Sequence, residues 1–198
     1  MVVTGCDTGF GRLIALEMHR MGATVFAGCI NPKSVQDLND LNSTGGTGNT
    51  GSNDTCPQTR GQMRAFLLDV TKDDQVASAA EQVRASGLRV AAVVNNAGVS
   101  AFGWAEGLDL KAYQVNMDVN FFGTVRMTKA FLPMLRAHRG RLVNMGSIGA
   151  AMPSAFGSAY LATKAAMVSY SHCVRQEVGS WTGTRTIIHP PSSLQCTS

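Results

Sequence analysis

The sequence predicts a single α/β domain over residues 1–198, built as a doubly wound parallel sheet with helices on both faces, three layers in all. Two observations carry this. Strand-like apolar runs alternate with stretches of helical period from one end of the chain to the other, the pattern of consecutive β–α units. The first run also passes directly through a glycine-rich turn into a helix, which is how such sheets open. Right-handed crossovers then restrict the strand order. A chain of 198 residues is long enough to bury about 70% of its unfolded surface.

Met1 to Thr4 is short and apolar and reads as the first strand. Gly5, Gly9 and Gly11 of TGCDTGFG make the turn, after which Leu13, Ile14, Leu16, Glu17 and Met18 fall at helical period. Val25 to Cys29 reads as the second strand and Pro32 to Leu41 as a helix. Arg64 to Leu68 is the third strand, Lys72 to Ala85 a helix, and Leu88 to Val94 a buried strand. Helical periodicity runs from Asp109 to Ala137, where Pro133 demands a kink near the C-terminal end. Arg141 to Met145, Ala159 to Val178 and Arg185 to His189 follow as strand, helix and last strand. One segment, at about 42–61, breaks the rhythm: its Gly, Ser, Thr and Asn cannot bury a core, so it reads as a flexible surface insertion. Asn42 and Asn53 fit the glycosylation acceptor pattern, but with no secretory signal in the sequence they read as unmodified loop positions.

Composition excludes several classes. The net charge of +4 is spread along the chain, apart from Arg136, His138, Arg139 and Arg141 at a predicted helix end, where cations meet the helix dipole favourably; nucleic acid is not an expected partner. The five cysteines are odd in number, widely spaced and without a C-x-x-C, so neither a disulfide framework nor a zinc site is expected, and a reducing, intracellular compartment is favoured. The four histidines are isolated, and no metal site is predicted. No apolar run reaches the roughly 18 residues that span a bilayer, and no targeting segment precedes the first strand.

The chemistry concentrates in two places. Tyr160 and Lys164, in YLATK, stand at i and i+4 of a predicted helix, so phenol and ammonium project from one face, with Ser147 upstream. A free tyrosine has a pKa of about 10, and a neighbouring cation favours its phenolate, which makes the pair a proton-transfer device. At the other end of the chain, the strand, glycine turn and helix bring backbone N–H groups and a helix dipole to one point, a site for a pyrophosphate. Gly5 permits the turn, Gly9 lets the backbone approach the phosphates, and Gly11 lets helix and strand pack closely. The spacing is G-x-x-x-G-x-G, distinct from the G-x-G-x-x-G fingerprint and from a P-loop.

TGCDTGFG, the NNAG of Asn95 to Gly98, and Asn120, Ser147, Tyr160 and Lys164 occur in the order and spacing of the short-chain dehydrogenase/reductases, and the chain resembles that family from about Val2 to Pro190. Within it, TGCDTGFG, VFAGC, SAFGWAE and GTVRMTKAFLPML are most similar to the D-β-hydroxybutyrate dehydrogenases and their retinol and hydroxysteroid relatives. The resemblance implies a Rossmann sheet and hydride transfer between a nicotinamide cofactor and a secondary alcohol or ketone of 3-hydroxybutyrate-like, retinoid or steroid type. It gives Tyr160 the proton exchange with the substrate oxygen and Lys164 the lowering of the Tyr160 pKa and a hold on the nicotinamide ribose. Ser147 then hydrogen-bonds the substrate oxygen, and Asn120 supports a water relay. Cofactor contacts carry over to Gly5, Asp7, Thr8, Gly9, Phe10, Gly11, Asp69, Asn96, Ala97, Gly98 and Pro190, besides Tyr160 and Lys164. A helix cap is an equal reading of Asp69, and a structural role an alternative for Asn96.

The second strand ends at Cys29, Ile30 and Asn31 without the acidic residue that binds an adenosine ribose. Asp7 in the glycine loop repels a 2′-phosphate, so NAD is favoured, with NADP left open. After the sixth strand, Pro190-Pro191 stands where the family has Pro-Gly, and SSLQCTS follows. By the resemblance this is a shortened chain that lacks the last strand and the substrate lid. Two function classes are therefore expected: a working dehydrogenase, or a catalytically impaired nucleotide-binding or interaction protein. The full-length form is expected to be a homo-oligomer, with mitochondrial or ER-membrane relatives and with membrane association only through a segment not in this sequence.

Overall fold

The computed structural model describes residues 1–43, 61–178 and 185–187. Its strands are β1 (Val2–Thr4), β2 (Val25–Cys29), β3 (Met63–Leu67), β4 (Ala92–Asn95), β5 (Arg141–Met145) and β6 (Arg185–Ile187). Its α-helices are α1 (Gly9–Arg20), α2 (Pro32–Asn39), α3 (Asp73–Ala85), α4 (Leu110–Asn116), α5 (Gly123–His138) and α6 (Ser158–Val178). All strand pairs are parallel, in the order β3-β2-β1-β4-β5-β6. The order reverses between β1 and β4, whose carboxyl ends therefore flank a crevice.

Neighbouring residues of the buried strands serve opposite faces of the sheet. Val2, Phe26, Val93 and Leu142 pack with Val76, Val83, Met127, Phe131 and Val174 under α3, α5 and α6. Val3, Val25, Ala27 and Val94 pack with Ala15 and Leu38 under α1 and α2. These two cores give the three layers predicted. No described helix is long and apolar enough to cross a membrane.

Three elements differ from the sequence reading. The helix predicted over Asp109 to Ala137 is two helices joined by a π turn, Met117–Phe122, and Pro133 lies inside the second, α5, toward its C-terminal end. The turn sits where Asn120 is drawn inward and where a Cβ on Gly123 would come within 2.6 Å of the Val70 side chain. The fourth strand begins at Ala92 and not at Leu88, because the Val90 N–H is taken by His138 Nδ1 at 3.1 Å instead of by a neighbouring strand. The third begins one residue early, at Met63, in register with Val25.

The open edge of β3 is covered by side chains. Asn39 exchanges two hydrogen bonds with the backbone of Ala65, at 3.0 and 2.8 Å, and Asn42 two with Met63, at 2.6 and 2.9 Å. These amides stand in for a further strand and occupy an edge that would otherwise template another chain. Asn42 thus has a structural task, whereas most of the segment read as an insertion lies outside the described residues. Pro190 and the tail that follows it also lie outside them.

Candidate active site

The glycine turn between β1 and α1 is held from the far side of the switch point. Gly5 has φ +69°, and a Cβ there would meet Ala97 Cα at 2.8 Å. A Cβ on Gly11 would come within 2.2 Å of the Gly5 carbonyl. Gly9, at φ +58°, has nothing within 4 Å of a Cβ position and so presents bare backbone to open space. Thr8 is the α1 N-cap in extended conformation and gives no side-chain bond to the helix, whose first turn carries no acidic residue. An anion is therefore favoured at this terminus.

Asn96 locks the turn in place: its Nδ2 donates to the carbonyls of Thr4 at 2.9 Å and Gly5 at 3.2 Å. This is the structural alternative the sequence left open for it. Thr4, which the sequence reading missed, accepts through Oγ1 from the amides of Asn96 at 3.0 Å and Ala97 at 2.9 Å. Asn95 is buried and donates to Asn144 Oδ1 at 2.8 Å, tying β4 to β5. Gly98 lies against Asn120, whose Oδ1 would be 3.2 Å from an added Cβ.

Asp7 reaches across to the end of β2. Its carboxylate accepts from the amides of Ile30 at 3.0 Å and Asn31 at 2.9 Å, so the acid that β2 lacks is delivered to that strand's end from the glycine loop. Asp69 does not cap α3. The N-cap is Lys72, and Asp69 Oδ1 instead accepts from Thr71 N at 2.9 Å and Thr71 Oγ1 at 2.8 Å, shaping the turn before the helix.

Tyr160 and Lys164 rise from α6 beside the end of β5, where Ser147 starts a short 3₁₀ turn and accepts from Gly149 N at 3.2 Å. The Ser147 hydroxyl lies on the side of the Tyr160 phenol and favours its ionised form. Lys164 is 5% exposed; its Nζ donates to the Met145 carbonyl at 2.8 Å and lies 5.6 Å from the Tyr160 ring centre. Burial pushes its pKa down to about 8. Lys164 is not among the groups that shift the Tyr160 phenol. Burial raises the phenol above its ordinary value, opposed by Ser147. The Lys164 ammonium is engaged by the Met145 carbonyl and lies over the ring.

Asn120 projects from the π turn with its side-chain amide fully used. Oδ1 accepts from Val99 N at 2.8 Å, while Nδ2 donates to Val99 O at 2.9 Å and to Thr163 Oγ1 at 3.0 Å. Its carbonyl accepts from Thr124 Oγ1 at 2.8 Å. π turns recur at functional sites, and here the turn joins the loop after β4 to α6. Thr163, a fully buried residue in the middle of YLATK, also donates to the Tyr160 carbonyl at 2.7 Å. Sequence reading passed over it, since nothing in the motif marks which neighbour of Lys164 faces Asn120. Thr163→Val should destabilise the protein by about 1–3 kcal/mol, the cost of a buried donor left unpaired. Thr163→Ser should restore most of that in urea denaturation.

Asn96, Gly98, Ser147, Tyr160 and Lys164 line one cavity of about 570 Å³ that also reaches Phe10 at the start of α1. The glycine turn and the acid/base set are thus two ends of a continuous space.

A family profile described as short chain dehydrogenase matches residues 1–193. The chain is 38% identical over 197 residues to estradiol 17-beta-dehydrogenase 2 of Rattus norvegicus, covering 96% of this chain and 47% of that protein. It is 34% identical over 204 residues to mitochondrial D-beta-hydroxybutyrate dehydrogenase of Bos taurus, covering 100% and 55%. The closed form of serine dehydrogenase complexed with NADP+ superposes with a TM-score of 0.76 at 26% identity, over 96% of this chain and 69% of that one. The chain spans about half the length of these two curated relatives.

Proposed function

Because the chain belongs to the short-chain dehydrogenase family, we propose that it is an NAD(P)-dependent oxidoreductase that interconverts a secondary alcohol and its ketone. The single observation behind this reading is the convergence of Ser147, Tyr160 and Lys164 on one cavity that runs to the glycine turn. The cavity fits a dinucleotide: Gly9 leaves open space at the α1 N-terminus, Gly5 sits where a side chain would crowd the backbone, and Gly98 where one would press on the Asn120 side chain. In this reading Thr8, Gly9, Phe10 and Gly11 hold the pyrophosphate, Asp7 faces the adenosine ribose, Asp69 the adenine, and Ala97, Gly98 and Lys164 the nicotinamide ribose. When bound, the nicotinamide supplies the hydride acceptor, or in reverse the donor.

In the oxidation direction Ser147 donates to the substrate oxygen and holds it against Tyr160. The hydroxyl proton would pass to the Tyr160 phenolate, which ends as the neutral phenol, while the carbinol carbon would give up its hydride to the acceptor that a bound nicotinamide supplies, leaving the ketone. Burial of Tyr160 opposes its phenolate, so Ser147 and the cations brought to the site have to supply the offsetting stabilisation. Asn120 holds the loop after β4 against α6 and so keeps the cavity wall fixed relative to Tyr160.

The test is NADH and NADPH titration by fluorescence beside turnover of a panel of secondary alcohols. Binding with turnover supports the reading; binding without turnover assigns the chain to nucleotide binding alone. For the coenzyme, the Asp7 carboxylate at the end of β2 leads us to expect tighter NADH than NADPH binding. Asp7→Arg should reverse the order by removing a like charge from the 2′-phosphate, and tighter NADPH binding by the unaltered chain would reject this assignment.

A further inference from the structure

Resting on the dehydrogenase reading above for what Lys164 does, we propose that Asn144 and Ser171 are positioning residues for Lys164: they pin β5 to α6 and thereby fix the carbonyl that holds the ammonium. Lys164 Nζ donates to the carbonyl of Met145, the last residue of β5, at 2.8 Å. The residue before it, Asn144, donates through Nδ2 to Ser171 Oγ, also at 2.8 Å. Ser171 follows Lys164 on α6 by about two turns, which returns it to the same helix face. The end of β5 and one face of α6 are therefore joined at two points. A single bond lets a helix pivot about it; two bonds on one face do not.

The direction of each bond is set by its neighbour. Ser171 has one proton and gives it to the Met167 carbonyl at 2.7 Å, so toward β5 its oxygen can only accept. That turns Nδ2 of Asn144 to α6 and its Oδ1 to β4, where Asn95 Nδ2 donates at 2.8 Å. One amide thus ties β4, β5 and α6 in sequence. Asn144 is 1% exposed and Ser171 0%, in a layer otherwise packed by Val93, Leu142 and Val174. Apolar contact is non-directional. Polar groups in such a layer carry a desolvation cost that only a satisfied bond offsets, and what they add over apolar side chains is a defined arrangement. Lys164 depends on that arrangement, because its stem is long and flexible and its head is only as well placed as the carbonyl that receives it.

The test follows the Lys164 ammonium in the full chain, without added cofactor, by NMR titration of isotope-labelled lysine side chains, with Lys164→Arg identifying the resonance. Burial is what holds its pKa down at about 8. Tyr160 is the other titratable group among the described residues lining the cavity, and Asp118 of the π turn, packed on α6, is paired with Arg126. An ammonium released from the Met145 carbonyl reaches the open cavity that Lys164 lines. Ser171→Ala should therefore raise the pKa by at least about half a unit and lower kcat by about tenfold or more. Asn39→Ala, which gives up two hydrogen bonds at the β3 edge, should leave both unchanged. Where Ser171→Ala alone does not fold, Asn144→Leu combined with Ser171→Ala makes the same comparison: it removes both partners, and Asn95 Nδ2 keeps Thr128 Oγ1 at 3.4 Å. A pKa unmoved or lowered by loss of the tie, or raised as much by Asn39→Ala, overturns the proposal. Absence of turnover in the unaltered chain overturns the dehydrogenase reading instead, and the lysine titration still decides the positioning role.

Discussion

Tyr160→Phe is expected to lower kcat by about 10²–10⁴-fold, the usual contribution of general acid–base catalysis, while leaving NADH affinity essentially unchanged. The substitution removes one oxygen. The ring stays packed against Phe102 and under the Lys164 ammonium, so the cavity wall keeps its shape. What disappears is the oxygen proposed to exchange a proton with the substrate. Steady-state turnover and NADH titration on both proteins separate the two effects. Activity above about a tenth of the original, less than about 1.4 kcal/mol of barrier, would remove Tyr160 from the acid/base role.

The parts of this molecule that repeat locally were legible in the sequence. Strand runs, helical periods and the glycine turn each depend on neighbours within a few residues, so the alternation, the three layers and the place of the turn could be read from spacing. The i and i+4 placement of Tyr160 and Lys164 is likewise a local fact. What could not be read rests on single side chains bonded across long stretches of chain. Asn39 and Asn42 replace a strand along β3, Asp7 serves the end of β2, and Thr163 meets Asn120. Each such bond leaves one polar residue in an ordinary-looking segment, with no period to betray it. The π turn escaped for the same reason: one extra residue in a helix hardly disturbs its apolar pattern, and its cause lies in the distant partners of Asn120 and Gly123. Sequence gives the proximity of Lys164 to Tyr160 but not the burial of the phenol, which opposes its phenolate.

Lys164→Met is expected to abolish turnover and yet to make the ligand-free protein more stable at neutral pH. The lysine is 5% exposed, and burial lowers its pKa from 10.5 to about 8. Below about pH 8 it is protonated in folded and unfolded chains alike, and the folded state bears the cost of a desolvated charge. Between about 8 and 10.5 the unfolded chain binds the proton and the folded chain does not, so stability rises with pH across that window. The interval corresponds to about 3 kcal/mol, at about 1.36 kcal/mol for each tenfold change in proton affinity. Methionine keeps the apolar stem and removes the charge, giving up a hydrogen bond to the Met145 carbonyl that is worth about 1 kcal/mol. A net gain of about 1–2 kcal/mol at pH 7 should therefore appear in urea denaturation and vanish toward pH 10. A variant less stable than the parent at pH 7, or a difference independent of pH, would show that the ammonium is well compensated in its pocket. The expected pattern instead marks Lys164 as a residue kept at the expense of stability for what it does in the filled site.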